Sequence, residues 1–370
     1  MTGSRPTVAL AVSGHGFGHA VRSAEVARAL LERGARVLVR TDAPRWLFPE
    51  AVDPLPSPGW PLDVGVVQYD GLEFDIDATR STWRAFARDF EVHAVEEARL
   101  LREAAVDIVL GDIPPLAFAA AAHAGLPSFA VGNFTWDWIY AAWPDFEDVV
   151  ASVRSGYACA EALLRLPMHA TDAEACVAFG RVEDVPLVAR QATRPREEVR
   201  RDLGLTHDCR VVLVSFGGFQ AAGLQLNRLG AWSRYTFVLI QARTEGPLPA
   251  NVLNLNESPA DYVSLLAACD AVVTKPGYGI VADCLANRVA VLFTDRGPFR
   301  EYDVLAEALT TLARARYVPR QEVLAGELGP HLDALLECDR GWVDLPMNGA
   351  ATVAERALRR VTIEENLLSR

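Results

Sequence analysis

The strongest constraint on the fold is an apolar run that ends in a glycine-rich turn and opens a helical pattern. Val8-Ala9-Leu10-Ala11-Val12 reads as a strand, Gly14-His15-Gly16-Phe17-Gly18-His19 as a turn, and the segment to about Arg33 as a helix. Consecutive apolar residues suit a strand covered on both faces, as in a parallel sheet flanked by helices. A glycine turn at such a junction lets backbone approach a ligand, and the helix start offers N–H groups that the helix cannot satisfy. The spacing is close to that of a dinucleotide-binding turn, with His19 where the last glycine would be. His15 and His19 therefore bring proton-transferring imidazoles into the turn.

Strand-like and helical patterns alternate from there. Arg36–Arg40 reads as the second strand of a βαβ unit, and Val64–Tyr69 as a further short strand. Arg80–Ala105 carries one long helical pattern, and Asp107–Leu110 a strand whose exit loop is Gly111-Asp112-Ile113-Pro114-Pro115. A helix over Leu116–His123 and a strand over Ser128–Val131 come next. Arg190–Arg201 is polar, contains Pro195 and has no apolar period, so it reads as a linker. The pattern then restarts with strands at Val211–Ser215, Thr236–Ile240, Ala271–Val273 and Ala290–Phe293, and helices at Ala260–Ala268 and Ile280–Ala286. A final helical segment spans Ala350–Leu368.

Repeated strand–helix–strand order predicts an α/β protein of two Rossmann-like domains facing across a cleft. The expected division is 1–190, 191–349, and a helix over 350–370 packing back on the first domain. A length of 370 residues agrees, being too long for one ordinary core. The net charge of −12 argues against a general nucleic-acid or anionic-membrane binder. Six scattered cysteines without a C-x-x-C pair suit reduced thiols and a cytoplasmic setting. The chain opens without an apolar leader and has no run long enough for a membrane span, which gives the same expectation.

Lys275 is the only lysine in the chain. A bias toward arginine accounts for the rarity but not for the position, Thr274-Lys275-Pro276-Gly277-Tyr278-Gly279, a second glycine turn. A compact ammonium there suits a phosphate contact that a planar guanidinium would make differently.

In doubly wound sheets ligands bind beyond the carboxyl ends of strands. The His15/His19 turn and the Asp112 and Asn133 loops leave such ends in the first half. The Ser215 turn, the Lys275 turn and the Asp295-Arg296 loop do so in the second. One wall would then activate an acceptor or water, and the other would hold a nucleotide diphosphate. His93, His123, His169, His207 and His331 read as structural, since none shares a glycine turn. Asp75-Ile76-Asp77 has the form of a metal-binding D-x-D but sits in a loop of the first half, and no cluster has metal-ligand spacing. The aromatic segment Phe134–Tyr140 is either a sugar-stacking platform or a buried cluster.

These segments carry a resemblance. SGHGFGHAVRSAEVARAL, DIPPLAFAAAAHAGLPS, NFTWDWIYA, VEDVPLVAR, PREEVRRDLGL, SFGG and KPGYGIVADCLANRVAVLF resemble glycosyltransferases of the two-Rossmann (GT-B) type. More closely, they resemble the glycosyltransferase-like N-terminal half of plant-type L-arabinokinases, over about Val8 to Gly349. No segment of the kinase half takes part, so arabinose phosphorylation is not implied.

The second half also looks like the donor domain of the N-acetylglucosaminyltransferase that completes the peptidoglycan lipid precursor. That likeness implies that Gly277, Tyr278 and Gly279 face a diphosphate and that Asp283 accepts the ribose hydroxyls, where such domains usually carry Glu. It further implies a second phosphate cradle at Ser215, Gly217 and Gly218, with Arg300 and Glu301 near the donor sugar; Asn256 is counted with the donor-binding residues, and Gly16 and Gly18 of the opening turn give the donor room.

Together the residues and the resemblance predict metal-independent, inverting transfer from a UDP-type sugar, with no cofactor beyond that co-substrate. The acceptor is left open among small molecules, glycans and lipid-linked sugars. His19 is the expected base, assisted by His15 and Asp112, with Asp112 either orienting it or serving as base itself. Gly18-His19-Ala20-Val21-Arg22 also resembles the start of nucleotide-sugar hydrolases of the same fold, in which water is the acceptor. A non-catalytic nucleotide-sugar sensor is a third reading, which no residue favours.

Overall fold

The computed structural model describes residues 5–68, 73–205, 209–216, 223–242, 246–255 and 261–368, the side chains only to residue 363. The chain divides into two compact units. The first comprises residues 1–67, 75–189 and 345–370, and the second 68–74 and 190–344.

The first unit is built on β1 (Thr7–Val12), β2 (Arg36–Arg40) and β3 (Asp53–Pro54). Two short strands, β4 (Val67–Gln68) and β5 (Phe74–Asp75), form a separate ribbon. The unit continues with β6 (Ile108–Asp112), β7 (Ser128–Gly132), β8 (Ala162–Arg165) and β9 (Val182–Asp184). Its seven-stranded sheet has the order β3-β2-β1-β6-β7-β8-β9, and every pairing is parallel. All residues of β1, β6 and β7 are buried, which is why they read as unbroken apolar runs.

The second unit repeats the plan with β10 (Arg210–Val214), β11 (Tyr235–Ile240), β12 (Val252–Leu255), β13 (Ala271–Thr274), β14 (Ala290–Phe293) and β15 (Ala315–Tyr317). Its order is β12-β11-β10-β13-β14-β15, again all parallel. Val212, Phe237, Val273 and Leu292 lie in its buried core. Each sheet therefore has one place where the strand order reverses, between β1 and β6 in the first and between β10 and β13 in the second.

Several expectations change. The single helix over Arg80–Ala105 is two helices, Ile76–Arg88 and Phe90–Glu103, broken at Asp89. Asp75, expected in a loop, ends β5 and caps the first of these helices, its Oδ1 accepting from the Ala78 N–H at 2.8 Å, while Asp77 pairs with Arg80 at 2.5 Å. Strands β3, β8, β9, β12 and β15 carry no pattern that stands out in the sequence, being short or partly exposed.

The helix Gly349–Leu368 groups with the first unit. Val353, Ala354 and Ala357 are fully buried, and Arg356 and Arg360 form ion pairs with Glu183 and Glu161. Residues 345–349, expected in the second domain, also group with the first unit. No helix among the described residues is long and apolar enough to cross a membrane. None of the six cysteines is in a disulfide.

Candidate active site

The reversal point of the first sheet holds the glycine turn. Val12 at the end of β1 pairs in register with Asp112 at the end of β6, so the residues leaving both strands emerge side by side. Gly16 caps the helix Phe17–Glu32 with a φ of 74°, a left-handed conformation that favours glycine. No atom lies within 4 Å of where a Cβ on Gly16 or Gly18 would sit, so the turn is open above its backbone. Gly111 is required for a different reason, since a Cβ there would meet the Phe118 ring at 2.4 Å.

His19 stands in the first turn of that helix, buried, with Nδ1 2.8 Å from Asp112 Oδ1. Three residues on, and so on the same helix face, Arg22 clamps both oxygens of Asp112 at 2.6 and 2.5 Å. Ser23 donates to Asp112 Oδ2 at 3.0 Å, and Arg22 also reaches Asn133 Oδ1, beyond β7, at 2.7 Å. Burial alone would raise the Asp112 pKa. The Arg22 charge and the converging donors outweigh it and hold the carboxyl at about 2.

Two chemical consequences arise. An ionised carboxylate only accepts, so in the neutral ring the pair with Asp112 favours the proton on Nδ1 and the lone pair on Nε2, with Arg22 Nη2 also 3.1 Å from Nδ1. A carboxyl held at about 2 is ionised near neutrality, an arrangement that suits orienting His19 better than accepting a proton.

His15 has the opposite tautomer. Its Nδ1 accepts from the Val66 backbone N–H at 3.2 Å, which places the ring proton on Nε2. The two imidazole centroids are 6.5 Å apart, one ring presenting an acceptor at Nε2 and the other a donor.

The indole of Trp136 packs edge-on to His15 at 5.2 Å and tilted against His19 at 6.1 Å. Phe134 lies edge-on to His19 at 5.7 Å. Phe134, Trp136, Trp138 and Tyr140 are all buried, so the aromatic segment is a core cluster that backs the histidines and not an exposed platform. The exposed aromatic at this turn is Trp46, 66% accessible and edge-on to Phe17 at 5.7 Å.

Asp63 has no motif in the sequence to mark it. It is buried beside the same cluster, accepting from Trp136 Nε1 at 2.9 Å. Burial is the dominant influence and pushes its pKa up to about 6, against the pull of Ser13, His19 and Trp136. A buried carboxyl displaced toward neutrality and facing His19 makes this place a candidate for function.

In the second unit the glycine turn also lies at the reversal point. Lys275 comes directly after β13, and Gly277 caps the helix Tyr278–Asn287. Ser215 comes directly after β10, its backbone N–H donating to Val273 O at 3.0 Å and its hydroxyl accepting from the Tyr262 hydroxyl at 2.9 Å. Tyr278 and Gly279 are buried in the first turn of the helix. Gly217, Gly218, Asn256 and His207 lie outside the described residues.

Asp283 departs from its expected role at the ribose. It is buried one turn further in, and its two oxygens are engaged by the Arg190 backbone N–H at 2.9 Å and guanidinium at 3.0 and 2.6 Å. Burial raises its pKa even against Arg190, and the pair ties the start of the second unit to this helix. Arg300 caps the helix Glu301–Leu312, and Glu301 faces Arg296 at 3.4 Å.

Comparisons with known proteins agree with this architecture. The glycosyltransferase SnogD from Streptomyces nogalater superposes with a TM-score of 0.60 at 19% identity, over 96% of this chain and all of that one. The kitacinnamycin glycosyltransferase gives 0.63 at 18% identity, over 99% of both chains. UGT89C1 from Arabidopsis thaliana, solved with UDP, gives 0.56 at 17% identity, over 96% and 95%. The fold is GT-B. In sequence, the GT-B chain is 32% identical to the L-arabinokinase of Arabidopsis thaliana over 96% of its own length. It spans about a third of that protein, 35%. No family model matches it.

Proposed function

We propose that this GT-B protein transfers a sugar from a nucleotide-diphosphate sugar, of UDP type, to an acceptor hydroxyl. The observation that carries the reading is the His19–Asp112 pair at the reversal point of the first sheet, with Nε2 left as the acceptor atom. In this mechanism Nε2 takes the acceptor proton while the acceptor oxygen attacks the anomeric carbon from the face opposite the leaving diphosphate, inverting the centre. Asp112 remains ionised and stabilises the imidazolium, and the Nε2–H of His15 supports developing negative charge nearby. Lys275 and the start of the helix Tyr278–Asn287 neutralise the departing diphosphate without a metal, as backbone N–H groups and a point charge do at other helix starts. UDP and dTDP occur in the solved complexes of two proteins of this fold, UGT89C1 and VinC, which favours a pyrimidine donor. Trp46 offers the acceptor an aromatic face. Free thiol chemistry fits a reducing, cytoplasmic setting.

The test is a panel of nucleotide sugars presented with and without candidate hydroxyl acceptors. His19→Ala should reduce turnover by roughly 100-fold or more while leaving nucleotide affinity nearly unchanged. Full activity in that variant would remove His19 from the mechanism. Rapid, saturable sugar release without an acceptor would replace transfer by hydrolysis.

A further inference from the structure

The segment carrying Asp63, Gly65 and Val66 lies across the histidine turn like a strap, and each of its three residues makes a specific contact. Val66 N–H donates to His15 Nδ1 at 3.2 Å. Gly65, at a φ of 60°, passes so close that a Cβ would sit 2.6 Å from His15 Cβ, and its carbonyl accepts from the Tyr140 hydroxyl at 2.5 Å. Asp63 accepts the Trp136 indole N–H at 2.9 Å, and the Ser13 side chain is close enough to pull its pKa down. Ser13 Oγ in turn accepts from the His15 backbone N–H at 3.2 Å. One buried carboxylate thus ties down the ring that packs against both imidazoles.

We propose that Asp63 is a positioning residue of the histidine site, holding the two imidazoles through Trp136, so that loading Asp63 with a proton loosens the site. This rests on the transferase reading only for its kinetic consequence. The physical step is simple. As a carboxylate Asp63 only accepts, from Trp136 among others, and as an acid it must turn one oxygen into a donor.

Few groups face this carboxyl. His19 comes from the helix Phe17–Glu32, Asp42 from the loop after β2, and Trp136 from the helix Trp136–Tyr140. Tyr140 and Tyr157, from that helix and from Glu147–Tyr157, both sense the Asp63 charge. Neither tyrosine ionises in the neutral range, because burial pushes both hydroxyls well above their ordinary value.

The Trp136 indole N–H is the probe, since an indole has no titration of its own. In the full chain with ¹⁵N-labelled tryptophan, its resonance should shift with a midpoint near pH 6. Asp63→Asn should abolish that inflection, and Asp42→Asn should keep it. Asp63→Asn should also lower kcat at least tenfold. Nucleotide affinity and melting temperature at pH 8 should not fall.

A flat indole resonance in the wild-type chain would overturn the proposal. So would an Asp63→Asn enzyme within twofold of wild-type kcat, or one whose activity and melting temperature fall together. If the wild-type chain turns over no nucleotide sugar, the transferase reading fails, and the indole titration still decides the role of Asp63.

Discussion

At the level of single residues, one site contains two buried carboxyls displaced in opposite directions. Asp112 is held at about 2 and Asp63 is raised to about 6, against an ordinary 3.8 for both. Linkage sets the sign of each contribution to stability. Asp112 is depressed on folding, so its contribution of about 2 kcal/mol is present above pH 4 and is lost as pH falls through 2. Asp63 is raised, so the folded state loses up to about 3 kcal/mol relative to the unfolded chain as pH rises from 3.8 through 6. Urea unfolding across pH should therefore find Asp63→Asn gaining on the wild type as pH rises from 4 to 7. A difference that stays flat over that range would mean the carboxyl is not buried as described.

Asp112→Asn should do the reverse. It leaves the buried Arg22 guanidinium without its counter-charge, costing about 3 kcal/mol, and deprives His19 of the ionised acceptor that orients it. Turnover should fall by roughly 100-fold or more in a steady-state assay, with nucleotide binding retained. Half of this chemistry is legible in the sequence. His19 and Asp112 stand at strand ends beside recognisable turns, and Arg22 lies three residues from His19 on one helix face. Asp63 does not stand out, because the Pro- and Gly-rich stretch around it has no period and its partner Trp136 is 73 residues away. Asp283 misleads for a related reason. An early-helix acid suits a ribose or a remote arginine equally, and Arg190 lies 93 residues earlier in a stretch that reads only as polar linker.

At the level of elements, period and turn chemistry recover the long buried strands because parallel strands covered on both faces are apolar throughout. They fail for β9 and β15, three residues each, which depend on neighbouring strands rather than on their own pattern. The helix Gly349–Leu368 shows how a local signal acquires a distant reason. Gly349 reads as the end of a turn, yet a Cβ there would lie 2.1 Å from the Pro186 carbonyl oxygen and 2.7 Å from that of Leu187. Backbone at that distance cannot rotate aside, so the helix must shift. Gly349→Ala should cost about 1–3 kcal/mol, read as a lowered melting temperature. It should leave nucleotide affinity unchanged, because the helix packs on the first unit. A variant as stable as wild type would show that this helix start is not tightly packed.

At the level of the whole molecule, two sheets of the same strand order take on different tasks through the residues that leave their equivalent strands. After β1 come two histidines, and the end of β6 supplies Asp112. After β10 comes Ser215, and after β13 the one lysine and a helix start. On the proposed function, the opening glycine turn, which by spacing alone suggests a phosphate cradle, serves proton transfer, and the phosphates go to the second unit. This division predicts where a nucleotide leaves its mark. Saturating UDP should slow amide exchange at the start of the helix Tyr278–Asn287 and around Ser215. A ligand at about 100 times its dissociation constant stabilises its site by about 2.7 kcal/mol. The first turn of the helix Phe17–Glu32 should show little change. Lys275→Ala should erase the protection, and His19→Ala should leave it intact. Protection centred on Gly16 to His19 instead would move the diphosphate to the first unit, and with it the assignment of His19 as base.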